Sequence, residues 1–123
     1  MPHFVIDCSQ GIFQAQDEAS ILARVHRVVD STGLFDESDI KIRMHPFDTY
    51  AAGGCRDDFI HVFAWIMQGR SVEQRAALSK AVVGELADMF PRLSRIAMNY
   101  STVTDLAKLR GLSTSVPRAS AAW

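Results

Sequence analysis

Along residues 2–9 the apolar Phe4, Ile6 and Cys8 alternate with His3, Val5 and Asp7. That period of two predicts a strand, Pro2 to Ser9, with one face plainly more apolar than the other. From about Asp17 to Ser31 the period changes. Leu22, Val25, Val28 and Val29 recur at helical spacing while Arg24, Arg27 and Asp30 turn away, and Gly33 supplies a C-terminal stop. Alternation returns at Ile40–His45, with Ile40, Ile42 and Met44 on one face and a basic row of Lys41, Arg43 and His45 on the other. Ala51–Cys55 contains a Gly-Gly pair and predicts a turn. Phe59–Ile66 is apolar on both faces, as expected of a central covered strand. Ser71 and Gln74 have capping-box spacing and open a second helix with the stripe Leu78, Val82, Leu86 and Met89. Pro91 marks its end, and Ile96–Tyr100 is the fourth strand.

This order is β-α-β repeated twice. Right-handed crossovers then place both helices on one face of a four-stranded mixed sheet, an α+β architecture. The other face is expected to stand uncovered. Phe63 and Trp65 lie opposite Ile60, Val62 and Ala64 on the third strand, so that second face is also apolar and calls for a partner subunit or a covering tail. The pattern implies one domain over residues 1–112. Residues 113–123, rich in serine and alanine, form a tail that is disordered or packed on a neighbouring subunit.

Composition narrows the function classes. A length of 123 residues fits one domain, and 48% hydrophobic content is ample for a core. The net charge of −1 lacks the basic footprint of a nucleic-acid binder. No apolar run reaches membrane-spanning length and no signal-peptide pattern opens the chain, so a cytoplasmic protein is expected. Cys8 and Cys55 form no C-x-x-C pair and are expected to be small packing residues. The four histidines show no metal-ligand spacing, and His61 is expected to be a hydrogen-bonded core residue. No phosphate loop or nucleophile elbow is present, so no cofactor is expected.

Candidate chemistry begins at Pro2. Once Met1 is removed, its nitrogen is a secondary amine. Burial beside cations would lower its pKa and let it act as a base at neutral pH. The plainer alternative is a proline that starts an edge strand, where a missing N–H does no harm. Arg70, at the mouth of the second helix, is either an anion-binding fork or a solvated surface group. Lys41 and Arg43 share a strand face, and Arg43 either binds an anion or pairs with Asp48. Phe4, Phe35, Phe47 and Tyr50 either line an apolar pocket or pack in the core.

The opening Met1-Pro2-His3-Phe4, then Thr32-Gly33-Leu34-Phe35, Arg43, His45, Asp48-Thr49-Tyr50, His61, and Gly69-Arg70-Ser71 with Glu73 and Arg75 resemble the 5-carboxymethyl-2-hydroxymuconate isomerases. That family is a branch of the tautomerase superfamily. The resemblance covers roughly the first three-quarters of the chain, and order and spacing carry it more than any single piece. It implies a homotrimer whose sheets pack around a central axis. It further implies a cofactor-independent isomerase that shifts a proton between carbons of a 2-hydroxymuconate-type dienol. In that scheme Pro2 is the general base, Arg70 is catalytic, and Lys41 and Arg43 bind the carboxylate substrate. The family carries an arginine where this chain has Lys41, which substitutes a point charge for a fork. Two other functions fit the same residues: a promiscuous keto-enol tautomerase of smaller 2-oxo acids such as phenylpyruvate, and a catalytically idle trimeric anion-binding module.

Overall fold

Phe4, Ile6 and Cys8 are fully buried and fix the side on which β1 (His3–Ser9) meets the helices. Residues 2–103 are described in the computed structural model, so the expected tail and the end of the domain at residue 112 lie outside the described residues. After β1 come a 3-10 turn at Gln10–Gln14 and α1 (Glu18–Ser31), whose N-cap Asp17 accepts from the Ser20 backbone N–H at 2.7 Å. That bond satisfies one of the orphan donors of the first turn. Gly33, at φ 71°, ends the helix as expected. The buried stripe of α1 is Ile21, Val25 and Val29, with Val28 packed beside it. Leu22, expected in the stripe, is only half-buried because Ile21 takes the inward position four residues before Val25.

β2 (Lys41–Phe47) pairs parallel to β1, β3 (Ile60–Met67) pairs antiparallel to β1, and β4 (Ile96–Val103) pairs parallel to β3. The sheet order is β2-β1-β3-β4, the double β-α-β predicted from the alternating periods. Pro46 is tolerated because β2 is an edge strand. The Gly53-Gly54 turn has both glycines at positive φ, 61° and 79°, and Ala52 and Cys55 exchange backbone hydrogen bonds across it. That geometry needs residues without a side-chain penalty at φ > 0.

α2 (Val72–Met89) has the predicted capping box, with Ser71 and Gln74 bonding reciprocally. It buries Leu78, Val82, Leu86 and Met89, the stripe read from spacing. Together with Ile60, Val62 and Ala64 these residues form the helix-side core.

The opposite face of the sheet carries His3, Val5 and Asp7 of β1, Lys41, Arg43 and His45 of β2, and His61, Phe63 and Trp65 of β3. Its apolar members are not open to solvent as expected: Phe63 is 8% and Trp65 3% exposed. Lateral ring packing accounts for part of this, since His61 stacks on Phe63 and Phe63 leans on Trp65. His61 is hydrogen-bonded, to Asn99, but it lies on this second face and not in the core. Cys8 is buried as expected, whereas Cys55 is exposed in the glycine turn. Among the described residues no helix is long and apolar enough to cross a membrane.

Candidate active site

The strand register gathers one end of the sheet around Pro2. His3 stands opposite Lys41 on β2 and opposite Trp65 on β3, so the start of β1, the start of β2 and the end of β3 form a single edge. Pro2 is buried there, and its carbonyl accepts from the Lys41 N–H at 3.2 Å. As a strand-opening residue beside an edge, it needs no N–H of its own. Strand parity divides the neighbouring cations. Lys41 and Arg43 rise from the second face, while Arg70, three residues past β3, folds back on the helix side.

Arg70 is not a freely solvated group. Its Nη2 donates to the Leu34 carbonyl at 2.7 Å, and its guanidinium lies 4.7 Å over the Phe35 ring. Phe35 in turn meets Phe4 edge-on at 6.2 Å. The fork is thereby held by two carbonyls, that of Leu34 and, at 3.5 Å, that of Met67, and by one aromatic face, so less entropy would be lost if its remaining donors engaged an anion. It lines a groove of about 400 Å³ with Gly33, Leu34, Phe35, Asp36 and Asp39. Phe35 thus both packs against the core and lines the groove, Phe4 is a fully buried core residue, and Phe47 and Tyr50 pack around Phe59 at the far end of β2. Lys41 is anchored by a 2.9 Å bond from Nζ to the Asp39 carbonyl, bringing its ammonium toward the residues that rim the Arg70 groove.

Arg43 forms no ion pair with Asp48 among the described residues. Its Nη1 lies 3.2 Å from His3 Nδ1, and the Asp48 carbonyl is taken by Arg56 at 2.6 Å. Burial lowers the pKa of the Arg43 guanidinium, because the charged form has lost water. His3 is 2% exposed, and its pKa falls from 6.5 to about 4, first through desolvation and then through the positive fields of Arg43 and Lys41. The imidazole is therefore neutral at pH 7. Further along the same face, Asp7 and His45 approach to 3.8 Å, and burial raises the Asp7 carboxyl despite the opposing pull of His45 and His61. Burial likewise pushes the Cys8 thiol up to about 12, leaving no thiolate at neutral pH.

The His3–Arg43 contact is the part of the site that sequence reasoning missed. The signal was available: His3 and Arg43 each belong to the polar phase of their own strand. Only the parallel register of β1 on β2 shows that the two phases share a face.

His3 also sets a pH dependence. As pH falls through 6.5 the unfolded chain protonates this histidine, while the folded chain holds it neutral until about pH 4. The unfolded state then binds more protons, so stability declines across that window, by on the order of 3 kcal/mol at its lower end. Asp7, raised by burial, titrates with the opposite sign and offsets part of the loss. Denaturant midpoints at pH 7 and pH 4.5 should therefore differ less in His3→Gln than in the parent chain. Equal acid sensitivity in the two proteins would contradict this assignment.

A four-stranded double β-α-β sheet with two helices is the architecture of the tautomerase superfamily. The structure of a fused 4-OT wild type symmetric trimer superposes with a TM-score of 0.72 at 20% identity, over 83% of this chain and 87% of that one. A 5-carboxymethyl-2-hydroxymuconate isomerase from Deinococcus radiodurans R1 superposes with a TM-score of 0.67 at 20% identity, covering 85% of this chain and 82% of the other. Within that architecture the family model for 5-carboxymethyl-2-hydroxymuconate isomerase matches residues 2–103, and the chain belongs to this family. It is 34% identical to the 5-carboxymethyl-2-hydroxymuconate Delta-isomerase of Escherichia coli over 77 residues. That match spans 61% of this chain and 61% of the length of the curated relative.

Proposed function

We propose that the chain is a cofactor-independent isomerase that shifts a proton between carbons of a 2-hydroxymuconate-type dienol, with the Pro2 nitrogen as general base. The observation that carries this reading is the family match beginning at Pro2, a residue buried at the end of the sheet where Lys41 stands opposite His3, with Arg43 two residues further along the same face. Removal of Met1 frees the amine. An ordinary α-amino group titrates near pH ~7.7, and the surroundings that hold the adjacent His3 neutral act on this amine in the same direction. The free base is then abundant at neutral pH. It takes a proton from the dienol and returns it to carbon, giving the conjugated oxo-acid. Negative charge develops on the 2-oxygen in the transition state, where a preoriented guanidinium such as that of Arg70 stabilises it.

Lys41 and Arg43 hold carboxylates on the other face. Lys41→Ala should mainly raise KM for a dicarboxylate substrate and leave a monocarboxylate unaffected, and Lys41→Arg should be tolerated or bind the diacid better. Steady-state kinetics on the two substrates decide this, and an equal Lys41 effect on both would refute it. Smaller 2-oxo acids such as phenylpyruvate fit the same base, though they leave Lys41 without a carboxylate to bind.

The working unit in this reading is a homotrimer. The second sheet face combines apolar rings with a polar row, and a related fold is a symmetric trimer. Sedimentation at micromolar concentration should report three chains, and a monodisperse monomer would contradict it. The reading places the enzyme in the cytoplasm as a single domain over 1–112 with a tail, 113–123, that is disordered or packed on a neighbouring subunit. Two free cysteines are in keeping with a reducing compartment.

A further inference from the structure

Four buried side-chain atoms find no hydrogen-bond partner among the described residues: His3 Nε2, Arg43 Nη2, Asp7 Oδ1 and His45 Nδ1. All four belong to the second face of the sheet, on β1 and β2. The last two face each other at 3.8 Å and can complete one another by a small adjustment. The first two cannot, because the chemistry of their contact fixes both as donors. A guanidinium has five N–H donors and no acceptor. The 3.2 Å contact from Arg43 Nη1 therefore requires His3 Nδ1 to accept, and the neutral imidazole must carry its proton on Nε2. His3 Nε2–H and Arg43 Nη2–H are thus two orphaned donors joined through one hydrogen bond. No carboxylate pairs with the Arg43 charge among the described residues.

A buried donor left unsatisfied carries a desolvation cost, and two of them beside an uncompensated cation form a seat whose missing component is an anionic oxygen pair. The geometry points to His3 as a specificity-determining residue, a neutral donor that Arg43 holds in the Nε2–H tautomer so that the pair receives one carboxylate of the substrate. This rests on the isomerase reading for the identity of the substrate. Pro2 directly precedes His3, so a carboxylate seated there brings the adjacent dienol carbons to the base. A positive charge on this histidine would repel Arg43 and lose the acceptor at Nδ1. Burial, reinforced by the fields of Arg43 and then Lys41, keeps the ring neutral, which the seat requires.

The test uses the full chain with Met1 removed, at pH 7, with muconate as the dicarboxylate probe and its uncharged diamide as control. Nitrogen-15 spectra of the histidine side chains should show His3 in the Nε2–H tautomer. Its Nε2 signal should shift saturably with muconate and stay unmoved with the diamide. His3→Ala should weaken muconate binding about tenfold, as expected for one hydrogen bond to a charged group. His3→Gln, which restores an N–H donor, should recover most of that loss. If His3→Ala does not fold, the tautomer, the shift and the His3→Gln affinity decide. An Nδ1–H tautomer, an equal shift with the diamide, or unchanged affinity in His3→Ala overturns the seat. A His3 shift that follows protein concentration and ignores muconate overturns it also, since the carboxylate would then come from a second copy of the chain. Dienol turnover is scored separately. Muconate binding at His3 in a chain that does not turn over the dienol upholds the seat and removes the isomerase reading.

Discussion

Protein that retains Met1 should turn over a 2-hydroxymuconate-type dienol at least about 100-fold more slowly than protein that begins at Pro2, the lower end of what a positioned base contributes. With Met1 in place the Pro2 nitrogen is a tertiary amide, and its lone pair is delocalised into the carbonyl. Pro2→Ala in the processed chain should do less damage, because a primary amine of different basicity and looser orientation remains. Turnover followed by ultraviolet absorbance on mass-verified samples measures both effects. Equal rates with and without Met1 would remove Pro2 from the chemistry.

Arg70→Ala should cost roughly 2–4 kcal/mol of transition-state stabilisation, the range found when one charge-stabilising donor is removed. The loss should fall on kcat/KM. Arg70 also holds the Leu34 carbonyl and covers Phe35, so part of any effect could come from loosening the segment between α1 and β2. Arg70→Lys separates the two contributions. It keeps a positive charge and loses the fork, so activity should stay low if bidentate recognition matters. Recovery to parental kcat/KM in Arg70→Lys, or a silent Arg70→Ala, would refute the role.

Much of the scaffold was legible in the sequence because each element carries a strong local signal. The α2 stripe, the capping box at Ser71 and the Gly53-Gly54 turn are properties of residues three or four apart or fewer, and all three stand where spacing placed them. The boundaries were less legible. β2 extends through Pro46 to Phe47 because it lies at the sheet edge, a fact about topology that the proline alone does not convey. His61 illustrates the same limit: an apolar strand suggested the core, but odd and even positions of a central strand face different layers, and its phase is that of Phe63 and Trp65. The site behaves likewise. Pro2, Lys41, Arg43 and Arg70 were named from composition and resemblance. That Arg43 bonds His3, and that Arg70 approaches from the opposite face to Arg43, depends on the pairing of strands nearly forty residues apart.

The claim at the centre of this account is that a free Pro2 amine isomerises a 2-hydroxymuconate-type dienol without a cofactor. Incubating chelator-treated, Met1-free protein, confirmed by intact mass, with 5-carboxymethyl-2-hydroxymuconate tests it most directly. The account predicts rapid loss of the dienol absorbance with formation of the conjugated oxo-acid. A rate no higher than that in buffer alone would contradict it.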